Sequence, residues 1–241
     1  RDCSRGQISL TLDIETPLLQ SRALSRLSNK NVWLKLEALQ PTGSFKLRGI
    51  GAACEAYQRQ GKTKFVSSSG GNAGLAAAYA GRTLGVPVTV VIPQSTSAHM
   101  KAVLEQEGAR VMVHGAMWAE ANQFAHDLLD EDTAFLHPFD DPLVWAGHAS
   151  LIDEVVAAGA AFDAVVVSVG GGGLLAGIAE GLDRNGLSHM PIVAVETEGA
   201  ACLAAAMTSG ANRPLAKITS VATSLGANMV CPRAFELART R

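Results

Sequence analysis

The sequence predicts an α/β protein of two lobes, each an open, mostly parallel twisted sheet with helices on both faces. Three observations predict it. Runs rich in valine and isoleucine alternate with helical segments; the runs are continuously apolar rather than alternating; and the helices between them end on glycine. Strands buried on both faces and joined by crossover helices have that signature. In order, KFVSSS reads as a strand, AGLAAAYAGRTLG as a helix, VPVTVVIP as a strand, SAHMKAVLEQEG as a helix, ARVMVHG as a strand, AMWAEANQFAHDLLDED as a helix and AFLHP as a strand. The second half repeats the alternation with DPLVWAGHASLIDEVVAAG, DAVVVSVGGGG, LLAGIAEGL, PIVAVET and GAACLAAAMTSG. No fixed-period repeat or Pro/Ser-rich linker divides the chain. Topology therefore sets the expected boundaries: a small domain at 43–139, and a large domain from 1–42 and 140–241.

The composition narrows the function classes. A chain of 241 residues that is 48% hydrophobic can bury a sizeable core, and a net charge of -2 gives no electrostatic reason to bind nucleic acid or an anionic membrane. A small-molecule partner is expected. No apolar run reaches the roughly 18 residues of a spanning helix, and RDCSRGQISL lacks the basic-then-apolar layout of a secretory signal, so a soluble protein is expected, and four cysteines without a CxxC pair fit reduced thiols in a cytoplasm. Cys3, Cys54, Cys202 and Cys231 form no CxxC pair, and the six histidines are dispersed with no HExxH, which leaves metal hydrolysis without support. Gly61-Lys62-Thr63 resembles the tail of a P-loop. Ala56 stands where that loop needs glycine, and a strand follows instead of a helix, so it reads as a surface turn.

Three glycine-bearing turns stand out: PTGSFKLRG (41–49), SSSGGNAG (67–74) and SVGGGGLLAG (168–177). In open α/β sheets ligands sit beyond the carboxyl ends of strands, where such turns let backbone come close. Gly170, Gly171, Gly172 and Gly173 lie between a strand and a helix, so their N–H groups can cup an anion at the positive end of the helix dipole. A plain tight turn would need one or two glycines. A dinucleotide fingerprint is the competing reading, with Gly171, Gly173 and Ala176 fitting GxGxxG/A and Glu196 ending the next strand; it comes late in the chain and leaves the other turns without a role. Ser67, Ser68, Ser69 and Asn72 offer donors in a ring suited to a carboxylate or phenolate, beyond what one N-cap would need. Lys46 sits among small and apolar neighbours, where desolvation lowers an amine's pKa and leaves it more often nucleophilic. Phosphate cradle, carboxylate loop and isolated lysine are together the parts needed to hold pyridoxal 5′-phosphate as a Schiff base with an amino-acid substrate.

With these motifs in this order, the sequence closely resembles the serine/threonine dehydratases of the fold-type II pyridoxal-phosphate enzymes, whose architecture is that of the tryptophan synthase β chain. The likeness spans almost the whole chain and includes HPFDDPLVWAGHAS (137–150), similar to the family's return segment. The resemblance implies that Lys46 carries the cofactor, that Gly170 to Gly173 with Leu174 bind its phosphate, and that Asn72 bonds its phenolic oxygen and lies by the substrate. Ser69 and Gly70 would face the substrate carboxylate, with Ser69 taking part in catalysis. Phe45 would cover one face of the ring and Ser224, in ITSVATSLGA (218–227), the other. A potassium-like ion would rest mainly on backbone carbonyls at Gly170, Glu196, Ala200, Leu225 and Ala227. A homodimer is expected. Family members continue past CPRAFELARTR into roughly another quarter of chain, with a residue that meets the pyridine nitrogen; this sequence carries no counterpart, and Cys231 does not match it.

The implied reaction is β-elimination from L-serine, and L-threonine, to pyruvate or 2-oxobutyrate plus ammonia. Racemisation, threonine synthesis and β-replacement share its early carbanion and stand as alternatives. A nucleotide-binding dehydrogenase using Gly171, Gly173 and Glu196 is a rival from another class, and a truncated inactive relative is a third.

Overall fold

The computed structural model describes residues 12–241, so Cys3 and the amino-terminal segment lie outside the described residues. The chain opens with β1 (Leu18–Gln20), α1 (Arg22–Ser28) and β2 (Trp33–Lys35); β1 and β2 pair antiparallel, Leu19 opposite Leu34. Ser21 starts α1 by accepting the Leu24 N–H. A 3₁₀ turn at Glu37–Leu39 leads to α2 (Lys46–Arg59). Then follow β3 (Lys64–Ser67), α3 (Asn72–Leu84), β4 (Val88–Ile92), α4 (Ala98–Gln106), β5 (Arg110–Val113), α5 (Trp118–Asp127) and β6 (Thr133–Phe135). The remainder is α6 (Pro142–Ala157), β7 (Val165–Ser168), α7 (Gly173–Arg184), β8 (Ile192–Val195), α8 (Cys202–Ser209) and α9 (Pro232–Thr240).

The alternation read from the sequence is present, and the strands are parallel where it predicts them. One sheet has the order β5-β4-β3-β6 and a second pairs β7 with β8. Successive residues of the first sheet face opposite ways, as the period of a strand requires. Phe65, Val88, Val90 and Ile92 join α2 and α3 in one core, while Val66 and Val91 join Ala121 and Ala125 of α5 on the other face. The β7–β8 sheet differs. Val167 is buried, but Val166, Val193 and Val195 are exposed, so among the described residues only one face of this sheet is covered by helices.

α6 ties the two regions together, contributing Val144 to the first core and Leu151 and Ile152 to the second. Small residues allow the close approach. A Cβ on Gly147 of α6 would lie 2.4 Å from the Arg48 carbonyl of α2, and one on Gly181 of α7 would lie 2.7 Å from the Ala149 carbonyl. One expectation changes: PTGSFKLRG follows a 3₁₀ turn, not a strand. Gly43 makes the bend at φ +73°, and Lys46 is the first residue of a 14-residue helix.

Candidate active site

Lys46 projects from the start of α2, half-buried, and its Nζ donates to the Pro138 carbonyl at 2.5 Å. The ammonium also lies 5.3 Å from the centroid of the Phe45 ring. Burial pushes its pKa down to about 8, opposed by the nearby Cys231. The segment that receives Lys46 is held from several sides. His137 Nδ1 accepts the N–H groups of Asp140 at 2.7 Å and Phe139 at 3.3 Å, and Trp145 Nε1 donates to the Phe139 carbonyl at 2.7 Å. Asp141 caps α6 through the Leu143 N–H and accepts the Tyr57 hydroxyl, both at 2.8 Å.

This segment brings the lysine to the glycine turn. A Cβ on Gly171 would lie 2.3 Å from the Phe139 ring, and one on Gly173 would lie 2.7 Å from the Phe139 carbonyl. A Cβ on Gly170 would meet the Leu225 carbonyl at 2.2 Å; one on Gly172 would meet Ala234 of α9 at 2.4 Å and the Cys231 sulfur at 3.4 Å. The Cys231 N–H donates to the Gly171 carbonyl at 2.8 Å. α7 begins at Gly173, so the positive end of its dipole faces this turn, with Leu174 next.

The serine loop lies at the carboxyl end of β3. Ser67 and Ser68 are buried and bonded within the protein: Ser68 donates to Asn122 Oδ1 at 2.7 Å, and Ser67 Oγ accepts the Ser69 N–H at 3.4 Å. The reachable part is therefore Ser69, Gly70 and Asn72, narrower than the ring of donors expected from sequence. Thr96 backs Gly70 so closely that a Cβ there would lie 2.9 Å from its Oγ1.

Other candidate positions take more local roles. The Glu196 carboxylate accepts the Leu203 and Ala204 N–H groups at 2.8 Å each, capping α8, which removes the acidic partner a dinucleotide ribose would need. Ser224 is exposed, Ala200 is buried with its N–H on the Thr197 carbonyl, and Ala227 is half-buried. Among the described residues no group of three or more His, Cys, Asp or Glu could hold a metal ion, and no helix is long and apolar enough to cross a membrane.

These residues fit an anionic aldehyde cofactor. A neutralisable amine lies beside a glycine turn that opens a helix, where backbone N–H groups face an anion without side chains in the way, and the buried Ser44 hydroxyl, two residues from Lys46, has no partner. The model of the family described as pyridoxal-phosphate dependent enzyme matches residues 10–241. The chain belongs to that family. A human protein named serine dehydratase-like is 51% identical over 225 residues, 92% of this chain and 68% of that protein. The human L-serine dehydratase/L-threonine deaminase is 45% identical over 94% of this chain and 70% of its own. The crystal structure of a fungal L-serine ammonia-lyase from Rhizomucor miehei superposes with a TM-score of 0.87 at 33% identity, covering 96% of this chain and 75% of that one.

Sequence reasoning missed the Pro138 carbonyl, the Phe139 ring and Cys231. HPFDD was visible as a motif, but a backbone acceptor and an apolar ring carry no chemical signature, and Cys231 is set aside when motifs are matched by spacing alone.

Proposed function

We propose that this member of the pyridoxal-phosphate family deaminates L-serine, and L-threonine, to pyruvate or 2-oxobutyrate with release of ammonia. The observation that carries the reading is the Lys46 amine, its pKa lowered to about 8 by burial and placed at the glycine turn by the Pro138–Phe139 segment. The names of the serine and threonine dehydratase relatives support the substrate class. Gly170 to Gly173 and Leu174 would hold the cofactor's phosphate, Asn72 its phenolic oxygen, and Phe45 and Ser224 its two faces. Bound pyridoxal phosphate would supply an electron sink for negative charge at the substrate α-carbon. Lys46, neutral in a useful fraction near physiological pH, accepts the α-proton at Nζ, the task for which a lowered pKa suits it. Ser69 Oγ and the Gly70 N–H orient the substrate carboxylate.

Residues 43–139 would close on 1–42 and 140–241 when substrate binds, excluding water. Limited proteolysis with and without serine tests this, and equal cleavage would refute it. We read the protein as a cytoplasmic homodimer with a potassium ion on the carbonyls of Gly170, Glu196, Ala200, Leu225 and Ala227. The approach of the Leu225 carbonyl to Gly170 supports the ion, and activity equal in sodium and potassium would count against it. The deciding experiment is pyruvate release from L-serine by the cofactor-loaded protein, with D-serine formation measured alongside. Cofactor bound at Lys46 with no pyruvate formed would overturn the proposal.

A further inference from the structure

His148, on the part of α6 that faces α2 and α7, is fully buried, and neither of its ring nitrogens has a hydrogen-bond partner. An unbonded buried polar group costs free energy, so an apolar side chain is the default filler for such a place and an imidazole there calls for a reason. Its neighbours supply one. A Cβ on Gly49 would lie 2.5 Å from His148 Cε1, and one on Gly177 would lie 2.4 Å from its Cβ, so both neighbouring helices close directly on this residue. Held there, the ring meets Phe45 edge-on, with centroids 5.1 Å apart and planes at 66°. Phe45 in turn carries the Lys46 ammonium 5.3 Å from its centroid.

We infer that His148 is a positioning residue for Lys46: clamped by α2 and α7, it braces Phe45, and Phe45 fixes the cation contact to Lys46 Nζ. The inference rests on Lys46 being the reactive amine of the proposed function. The titratable groups facing Lys46 are Cys231 at the start of α9, His137 ahead of α6 and His148 itself, with Arg48 two residues further along α2. Burial pushes the Cys231 thiol up to about 11 and both histidines down, His148 well below the usual range with Lys46 and Arg48 adding to the effect. Besides Cys231, which opposes the effect of burial, the Phe45 face and the Pro138 carbonyl favour the ammonium.

The test uses the whole chain freed of cofactor, and follows covalent capture of added pyridoxal phosphate by its absorption as a function of pH. Only the neutral amine attacks the aldehyde, so the pH of half-maximal rate reports Lys46 and is expected near 8 in the unaltered protein. His148→Leu releases Phe45, weakens the cation contact and lowers that midpoint by about half a pH unit. Serine turnover falls about tenfold in kcat at unchanged KM, because the amine is misplaced while the substrate loop is intact. In a Phe45→Leu background the same change moves the midpoint no further. A midpoint unmoved by His148→Leu, or moved equally in both backgrounds, overturns the inference. His148→Gln is the second variant should leucine prevent folding; loss of the circular dichroism signature in both would make His148 a packing residue only and overturn it as well. Unaltered protein that captures the cofactor without making pyruvate would sink the functional reading and leave this inference standing.

Discussion

Replacing Arg48 with methionine should remove about 3 kcal/mol of stability at neutral pH. Arg48 is 1% exposed. It reaches Glu37 at 2.7 and 2.9 Å, Glu154 at 2.5 and 2.8 Å, Ser150 Oγ at 3.0 Å and Asp13 at 3.2 Å. Lys35 completes the cluster through Glu154, so two cations face three carboxylates, and methionine leaves Lys35 alone against all three. Removing one partner of a buried pair costs about 3–5 kcal/mol, mostly the penalty of the charge left behind. The side chains of Glu37, Glu154 and Asp13 keep 13%, 18% and 29% of their exposure. Water therefore recovers part of that penalty, which places the expected loss at the lower end. Arg48 and Lys35 hold the Glu154 pKa below the usual carboxylate value against the effect of burial. A depressed carboxylate stabilises the fold above its unfolded pKa and loses that contribution as pH falls through its folded pKa. The gap between variant and parent should therefore narrow on acidification. Glu154→Gln should recover stability in the methionine background while costing it in the parent. Urea unfolding at pH 7 and pH 4 measures both. A loss under about 1 kcal/mol, or a gap that does not change with pH, would refute the claim that this guanidinium compensates the buried carboxylates.

Lys46→Ala should abolish pyruvate formation and the label that borohydride fixes on the cofactor-loaded chain; peptide mapping of the labelled parent locates the amine. Gly171→Ala drives a methyl into the Phe139 ring, where a Cβ would lie 2.3 Å away. It should cost about 1–3 kcal/mol in urea unfolding and weaken cofactor retention on dialysis. His148 stays neutral in the folded chain but takes a proton when unfolded below about pH 6.5. Its folded pKa is the lower one, so it removes stability as pH falls below the unfolded value, by about 1.4 kcal/mol per pH unit. His148→Leu should flatten the stability curve between pH 6.5 and 5 by that slope, and equal slopes in variant and parent would contradict a buried neutral imidazole.

The parallel strands were legible because apolar runs buried on both faces leave a continuous signature, which β4 displays most fully and β3 in part. The amino-terminal antiparallel strand pair was not legible. β1 and β2 are three residues each, and Leu19, Trp33 and Leu34 are exposed, so no periodic pattern marks them. α2 was obscured for a different reason: Gly49 and Gly51 break its helical propensity, and both face close neighbours, His148 and Leu12. In the candidate site, Lys46 and the glycine turn were visible because their residue types are chemically specific. Glu196 looked like a ligand for the same reason, yet a carboxylate six residues ahead of a helix is equally suited to cap it, and α8 uses it so.

The glycine turn shows how one stretch of sequence can answer two demands. Read as sequence, four consecutive glycines exceed what a strand-to-helix bend needs, and the surplus argues for an anion. In the structure only Gly172 has a left-handed backbone, at φ +91°. Gly170, Gly171 and Gly173 have no such requirement; each is small because something else stands where a Cβ would be, the Leu225 carbonyl in one case and Phe139 in two. The surplus is therefore explained by close packing, and packing and anion binding converge because the packed elements are those of the site. Phe139 adjoins the Pro138 carbonyl that receives Lys46, and Cys231 beside Gly172 is the group electrostatically coupled to the same amine. A side chain at Gly171 or Gly173 would displace Phe139 and with it the Pro138 carbonyl that receives Lys46, so these parts of the cradle and the nucleophile cannot be altered independently.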